Sequence, residues 1–260
     1  MAHPVEVFWL KMNEGSGTPA DAKSVLSLSV KGTISWTTGG RVWTDVPDIE
    51  GYTNDEAYYD DDGSYFRSSF GDDTEGVLMW WQKITDDADD QGWFSFGSST
   101  SGDTNLWIEN DMSVGEKFIQ AQLKVDGTVQ WRMDTPTDSI SGGTWIHVAF
   151  KHNGTRAVCW INAVKQTTNW VTSTDKTAWM DALTDSGNTT KANRIAFGTN
   201  WNGSEWAKGT DGLFQDIRYF SDGSDIGGEE IRAIYNGGRG TTLSLHDAMM
   251  CPGVNLATIF

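Results

Sequence analysis

Carboxylates, imidazoles and indoles are the side chains of this chain whose types and spacing could do chemistry. Glycoside hydrolysis needs two carboxyl groups about 5–9 Å apart, which residues sharing one face of a strand can supply. Glu109 and Asp111 come nearest, two residues apart, but they lie where an apolar strand ends and runs into a loop. They read poorly as an acid–base pair. No Ser-His-Asp set is evident: the four histidines are scattered and no nucleophile elbow occurs. His147 shares a strand face with Trp145 and Ala149 and reads as a core imidazole. His152 reads as exposed beside a turn. Neither has a second histidine at ligand spacing, which argues against zinc.

The 14 tryptophans divide by context. Trp80, Trp81, Trp107, Trp131, Trp145 and Trp160 fall in apolar, strand-like stretches and read as core. Trp170, Trp179, Trp201 and Trp206 sit in polar, loop-like stretches. An exposed indole there can stack on a sugar or anchor a partner, so these four are the expected contact residues; the plainer reading is that each packs its own loop. Aspartate clusters at Asp60-Asp61-Asp62, at Asp72-Asp73 and from Asp86 to Asp90. Because Asp favours turns, solvated loop tips are the simplest reading. A calcium site is the sharper one, since hard cations take loop carboxylates, and a halophilic surface is a third.

Composition excludes some function classes. With 36 acidic against 19 basic residues the net charge is −17, the wrong sign for a nucleic-acid partner. Two cysteines cannot make a disulfide framework, and Cys159 and Cys251 read as free thiols. The N-terminal residues lack the basic-then-apolar pattern of a secretory signal. No apolar run is long enough to span a membrane, so no membrane insertion is expected.

These groups must be positioned by strands. Short apolar stretches recur between turn signals every 8 to 12 residues or so, the pattern of an all-β sandwich. Val77 to Lys83 is apolar on both faces and reads as a central strand. Asp126-Gly127 is a strong two-residue hairpin signal. Thr144–His152 and Ala157–Asn162 form a second hairpin around Asn153-Gly154-Thr155. Lys165 to Ala192 is too rich in Thr and Asp to be a core element. One helix is predicted, at the end. Gly227 stands at the N-cap with Glu230 three residues on, Ile226 and Ile231 have the spacing of a hydrophobic staple, and Gly237-Gly238 supply the stop. One domain over residues 1–240 and a tail over 241–260 is the simplest organisation.

Four segments, in order, resemble the LamG-like jelly rolls of the concanavalin A-like superfamily, in the laminin G and pentraxin neighbourhood. They are Phe8 to Gly17, Tyr58 to Phe66, Gly143 to Thr155 with Val158 to Asn162, and Gly212 to Gly238. Two positions depart from the family pattern: Ala163 stands where the Gly of an Asn-Gly turn is usual, and Gly227 where a Ser or Thr cap is usual. The resemblance implies an antiparallel two-sheet jelly-roll sandwich with one short C-terminal helix. It also implies a structural calcium ion near the sandwich ends, with Asp60, Asp62 and Asp216 as the ligands to test. Asp216 falls on a closing strand that runs near the first strand, where a buried carboxylate needs an ion or a hydrogen-bond donor.

The fold alone implies no activity. A missing catalytic pair and a missing signal favour a non-catalytic structural or interaction module, most concretely a virion protein decorating a phage capsid or associated with its tail. Its partners would be copies of itself or other virion proteins, and the tail would be the attachment segment. The alternative is a carbohydrate-binding lectin domain with glycan partners. A glycosidase of the same fold ranks last.

Overall fold

Many strands carry apolar residues with a period of two, and several turns between them use left-handed backbone. The computed structural model describes residues 5–32, 34–50, 57–60, 71–84, 90–112, 116–201, 206–221 and 226–236. In chain order the strands are β1 (Val5–Leu10), β2 (Leu28–Lys31), β3 (Ser35–Thr38), β4 (Asp45–Glu50), β5 (Ala57–Asp60), β6 (Glu75–Ile84), β7 (Gln91–Ser98), β8 (Ser101–Asp111) and β9 (Phe118–Val125). There follow β10 (Thr128–Asp134), β11 (Trp145–Asn153), β12 (Ala157–Ile161), β13 (Val164–Lys165), β14 (Asn169–Ser173), β15 (Arg194–Phe197), β16 (Asn200–Trp201), β17 (Trp206–Ala207) and β18 (Asp211–Ser221). Two short helices, α1 (Met180–Thr184) and α2 (Gly228–Asn236), complete the described elements.

All pairing is antiparallel. The first sheet runs β13-β12-β11-β6-β18-β4-β3, with β1 also on β18, and the second runs β14-β10-β9-β8-β7-β15-β5-β2. The central place expected for Val77 to Lys83 is that of β6, between β11 and β18. The β9–β10 turn has Asp126 at φ 44° and Gly127 at φ 79°, as a type I′ hairpin requires. Asn162 (φ 50°) and Ala163 (φ 60°) turn β12 into β13 in the same way.

Alternation gives the first sheet two buried faces. Leu78, Trp80, Val148 and Phe150 face the inter-sheet core with Leu106, Ile108, Leu123 and Trp131 of the second sheet. Val77, Met79, Ala149 and Phe220 face outward and pack with Ile226 and Ile231, which bring α2 onto that face. The helix begins as its sequence predicts: the Gly227 N–H donates to Glu230 Oε2 at 2.8 Å, and the staple residues Ile226 and Ile231 are both buried.

Three expectations fail for one reason, long-range packing. The polar stretch 165–192 is a core element in part, since it supplies β14, α1 and the buried Trp179, Met180 and Leu183; a second helix thus joins the C-terminal one. His152 is buried, stacked 5.0 Å from Trp179. Its ring nitrogens lie 3.1 Å and 2.9 Å from the carbonyls of Thr74 and Lys176. His147 is buried as expected, but under α2 beside Trp81 and Tyr235 rather than between the sheets. Cys159 is a buried free thiol. The tail 241–260 with Cys251, the stop Gly237-Gly238 and the cluster Asp86–Asp89 lie outside the described residues. Among the described residues no helix is long and apolar enough to cross a membrane.

Candidate functional site

The second sheet carries a polar outer face. Residues directly opposite in an antiparallel pair project on the same side. Trp131, Leu123, Leu106, Phe96 and Ile195 make one such row, all buried in the core. The rows that alternate with such core rows therefore face away from the core. One is Thr172–Arg132–Gln122–Trp107–Ser95, and the next is Asn169–Asp134–Gln120–Glu109–Gly92. From β14 to β8 these rows cross three strand spacings, about 14 Å. Trp107 is half-buried there, amid amides and charges.

At the β10–β14 edge the face deepens into a cleft of about 480 Å³, lined by Asp111, Glu116, Phe118, Arg132, Asp134, Thr135, Pro136, Thr137, Asn169 and Val171. Arg132 Nη2 donates to Gln120 Oε1. Its Nε lies 3.9 Å from Asp134 Oδ1, too far for a hydrogen bond. Both of these atoms are buried and have no hydrogen-bond partner among the described residues. Burial pushes the Asp134 carboxyl up; Arg132 opposes the shift, and Asp111 and Glu116 add to it.

The opposite side of the face is walled by the β16–β17 hairpin, which lies on β7 and β8. A methyl group at Gly92 would fall 2.3 Å from the Asn200 backbone nitrogen, so only glycine admits this approach. Glu109, 1% exposed, anchors the wall: Asn200 Nδ2 donates to Oε2 at 2.9 Å and Lys208 Nζ to Oε1 at 2.8 Å. Lys208 also meets Asp90 at 2.8 Å. Burial raises the Glu109 carboxyl even against Lys208 and Asn200. Burial works against the Lys208 charge, but Glu109 and Asp90 more than offset it and raise its pKa. β8 ends at Asp111 as expected; Glu109, two residues before that end, is buried and both its oxygens are engaged.

The expected site residues scatter. Trp179 is fully buried between Trp131, Phe150 and His152, with interplanar angles of 13–16°; it is a core residue, not a contact residue. Trp170 sits edge-on to Trp131 at 6.4 Å with Lys176 Nζ over its ring at 4.6 Å, so its own chain uses the ring. Trp201 and Trp206 pair directly across the β16–β17 hairpin; their side chains lie outside the described residues. Asp216 is no open ion ligand. A bulge in β18 holds it at φ 55°, a conformation Asp tolerates. There its Oδ1 accepts from Trp9 Nε1 at 2.7 Å and from Arg218 Nε at 2.8 Å. The partner this buried carboxylate needs is a guanidinium and an indole N–H, and a calcium ion does not fit the charge already balanced there. The Asp60 backbone pairs with Ile195 and Leu28, while its side chain and all of Asp62 lie outside the described residues. Among the described residues no three His, Cys, Asp or Glu side chains gather as a metal group.

Trp107, Gln122, Arg132 and Asp134 were missed because each was read within its own strand. The available signal was shared alternation: in 105–111, 120–124 and 128–134 every second residue is polar or Trp107.

Two packed antiparallel sheets, one covered by a helix and the other open, define a β-sandwich of the jelly-roll class. No protein-family model matches the chain, and no curated protein matches it. Among solved structures the chain is similar to the CBM40 of a Ruminococcus gnavus IT-sialidase bound to α2,3-sialyllactose: 15% identity, TM-score 0.52, covering 65% of this chain and 86% of that one. It is similar to domain 4 of AbnA, a GH43 extracellular arabinanase from Geobacillus stearothermophilus, in complex with arabinotriose: 15% identity, TM-score 0.56, 90% and 100% covered. The binding domain of botulinum neurotoxin DC in complex with rat synaptotagmin II shares 13% identity at TM-score 0.62; 90% of this chain covers 51% of that one, about half its length. At such identities the likeness is one of fold.

Proposed function

We propose that this protein is a non-catalytic carbohydrate-binding domain whose ligand lies across the outer face of its second sheet. The observation that carries this reading is the row Arg132–Gln122–Trp107, a half-buried indole set among amide and guanidinium donors. Sugars present both an apolar C–H face and hydroxyls, and such a row offers partners to both. Two of the similar solved structures are described with bound sugars, which supports the reading by analogy of fold. Binding replaces hydrolysis because Glu109 is buried with both oxygens taken by Asn200 and Lys208, leaving no free acid–base pair on β8. Trp201 and Trp206, on the hairpin that lies over β7 and β8, are proposed as further contacts. The narrower laminin-G-like assignment rests on the four sequence segments alone. A place on a virion is a separate proposal resting on the sequence alone.

Glycan-array screening followed by calorimetry tests the proposal. Trp107→Ala should weaken binding about tenfold, the scale of one aromatic contact. Binding by the wild type that Trp107→Ala leaves unchanged refutes this face as the site.

A further inference from the structure

The groups that fasten the β16–β17 hairpin to the second sheet can do more than pair charge. We propose that Lys208 and Asn200 join in an intramolecular isopeptide bond, with Glu109 beneath them relaying the proton, so that the hairpin is closed covalently. This goes beyond the glycan-binding reading and does not rest on it.

Four residues meet at one point. Gly92 pairs with Glu109 across β7 and β8. Its N–H donates to the Lys208 carbonyl, and the Asn200 backbone nitrogen lies so near that only glycine fits. The backbones of Asn200 and Lys208 are thus both held over Glu109. Their side chains converge on its one carboxyl group: Lys208 Nζ on Oε1 at 2.8 Å and Asn200 Nδ2 on Oε2 at 2.9 Å. The two oxygens of a carboxyl group are adjacent, so the amine and the amide stand side by side. Asn200 Oδ1 is buried and has no hydrogen-bond partner among the described residues. A half-turn about Cβ–Cγ exchanges the amide nitrogen and oxygen and brings that oxygen to Glu109, whose acid form donates to it.

The amine reacts in its neutral form. Glu109 and Asp90 hold the proton on Lys208, but burial favours the acid form of Glu109, so passing the proton from Nζ to Oε1 removes both charges of that pair. The Glu109 O–H then polarises the Asn200 carbonyl, and the Nζ lone pair attacks Cγ. A proton passes from Nζ through Glu109 to Nδ2, the Cγ–Nδ2 bond breaks and ammonia leaves. One C–N bond forms, one breaks, Glu109 is regenerated and nothing is oxidised or reduced. Attack needs Nζ about 3–3.5 Å from Cγ, a swing of the lysine stem from its place on Oε1. The Lys208 side chain is 39% exposed, which gives the ammonia a way to solvent. Asp90 also meets Nζ at 2.8 Å, but a carboxylate in an ion pair is a poorer electrophile than a neutral amide.

Mass spectrometry of the full chain after prolonged incubation at neutral pH tests this. The intact mass should fall short of the sequence mass by one ammonia, about 17 Da. Trypsin should no longer cut after Lys208, so that Ile195–Arg218 appears as one peptide lighter by the same amount. Lys208→Arg keeps the cation but has no attacking amine, and Glu109→Gln keeps the shape but cannot relay the proton; both should keep their full mass. Wild type at full mass overturns the inference, whether or not the variants fold. So does a loss of ammonia with trypsin still cutting after Lys208, which marks a succinimide at some asparagine instead. A loss of one water, about 18 Da, with Lys208 joined to Asp90 overturns the choice of Asn200, and a cross-link that persists in Glu109→Gln overturns the proton relay. None of these results bears on the glycan site, which the Trp107→Ala binding test decides.

Discussion

Replacing His147 with leucine should remove a specific part of the protein's acid sensitivity. The imidazole is buried on the outer face of the first sheet, 5.2 Å from the Trp81 ring and 6.0 Å from Tyr235. Burial, with Arg218 adding repulsion, lowers its pKa from 6.5 to about 3. The unfolded chain therefore takes up the proton first. The stabilisation due to a neutral His147 is complete above pH 6.5 and is lost progressively as pH falls towards 3. At pH 4.5 the imidazole is two units below its unfolded pKa and still neutral in the fold, so the loss is about 3 kcal/mol at 1.36 kcal/mol per unit. For a chain of this size that corresponds to a fall in Tm of roughly 6–12 °C. Urea unfolding of wild type and His147→Leu at pH 7.0 and 4.5 measures it. Whatever stability the variant loses at pH 7.0 through lost stacking, its decline between the two pH values should be smaller than that of the wild type by the stated amount. Parallel declines refute the argument, as does an imidazole that titrates between pH 6 and 7 by NMR in the folded protein.

Two further changes test the fold where sequence and structure meet. Ala163→Gly should stabilise the β12–β13 turn: the left-handed φ of 60° costs a non-glycine residue about 1–2 kcal/mol, and the greater freedom of glycine in the unfolded chain returns about 0.5–1 of it. A net gain of about 0.5–1 kcal/mol, read as a higher urea midpoint, is expected, and a loss would mean that the alanine methyl packs usefully. Asp216→Asn should cost about 3 kcal/mol, the low end for removing one partner of a buried ion pair, because Glu6 still faces Arg218 at 3.4 Å. Chelator should leave the Tm difference between wild type and this variant unchanged; a difference that vanishes without calcium would restore Asp216 as an ion ligand.

What was legible beforehand was local. The Asp126-Gly127 hairpin, the central place of Val77 to Lys83 and the capped helix from Gly228 each follow from residues within a few positions of one another. Burial was not legible in this way. β8 alternates Leu106 and Ile108 with Trp107 and Glu109, which defines two faces but not what covers each. Trp107 read as core from its apolar neighbours in sequence, yet its cross-strand neighbours are Gln122 and Ser95. His152 read as exposed beside a turn and Trp179 as a loop residue, and the two stack together inside the protein. Asp216 invited an ion until Trp9, 207 residues away, arrived beside it.

The sequence by itself determined the period of the strands, the turns and the helix cap, because backbone preference and capping act within one turn of chain. Only the tertiary structure decided which alternate rows face the core, that the buried carboxylates Glu109 and Asp216 meet Lys208 and Trp9, and that Arg132 and Asp134 line an open cleft. Those outcomes depend on strand pairing across tens to hundreds of residues, and a side chain's environment is set by whichever distant strand, hairpin or helix comes to lie on it.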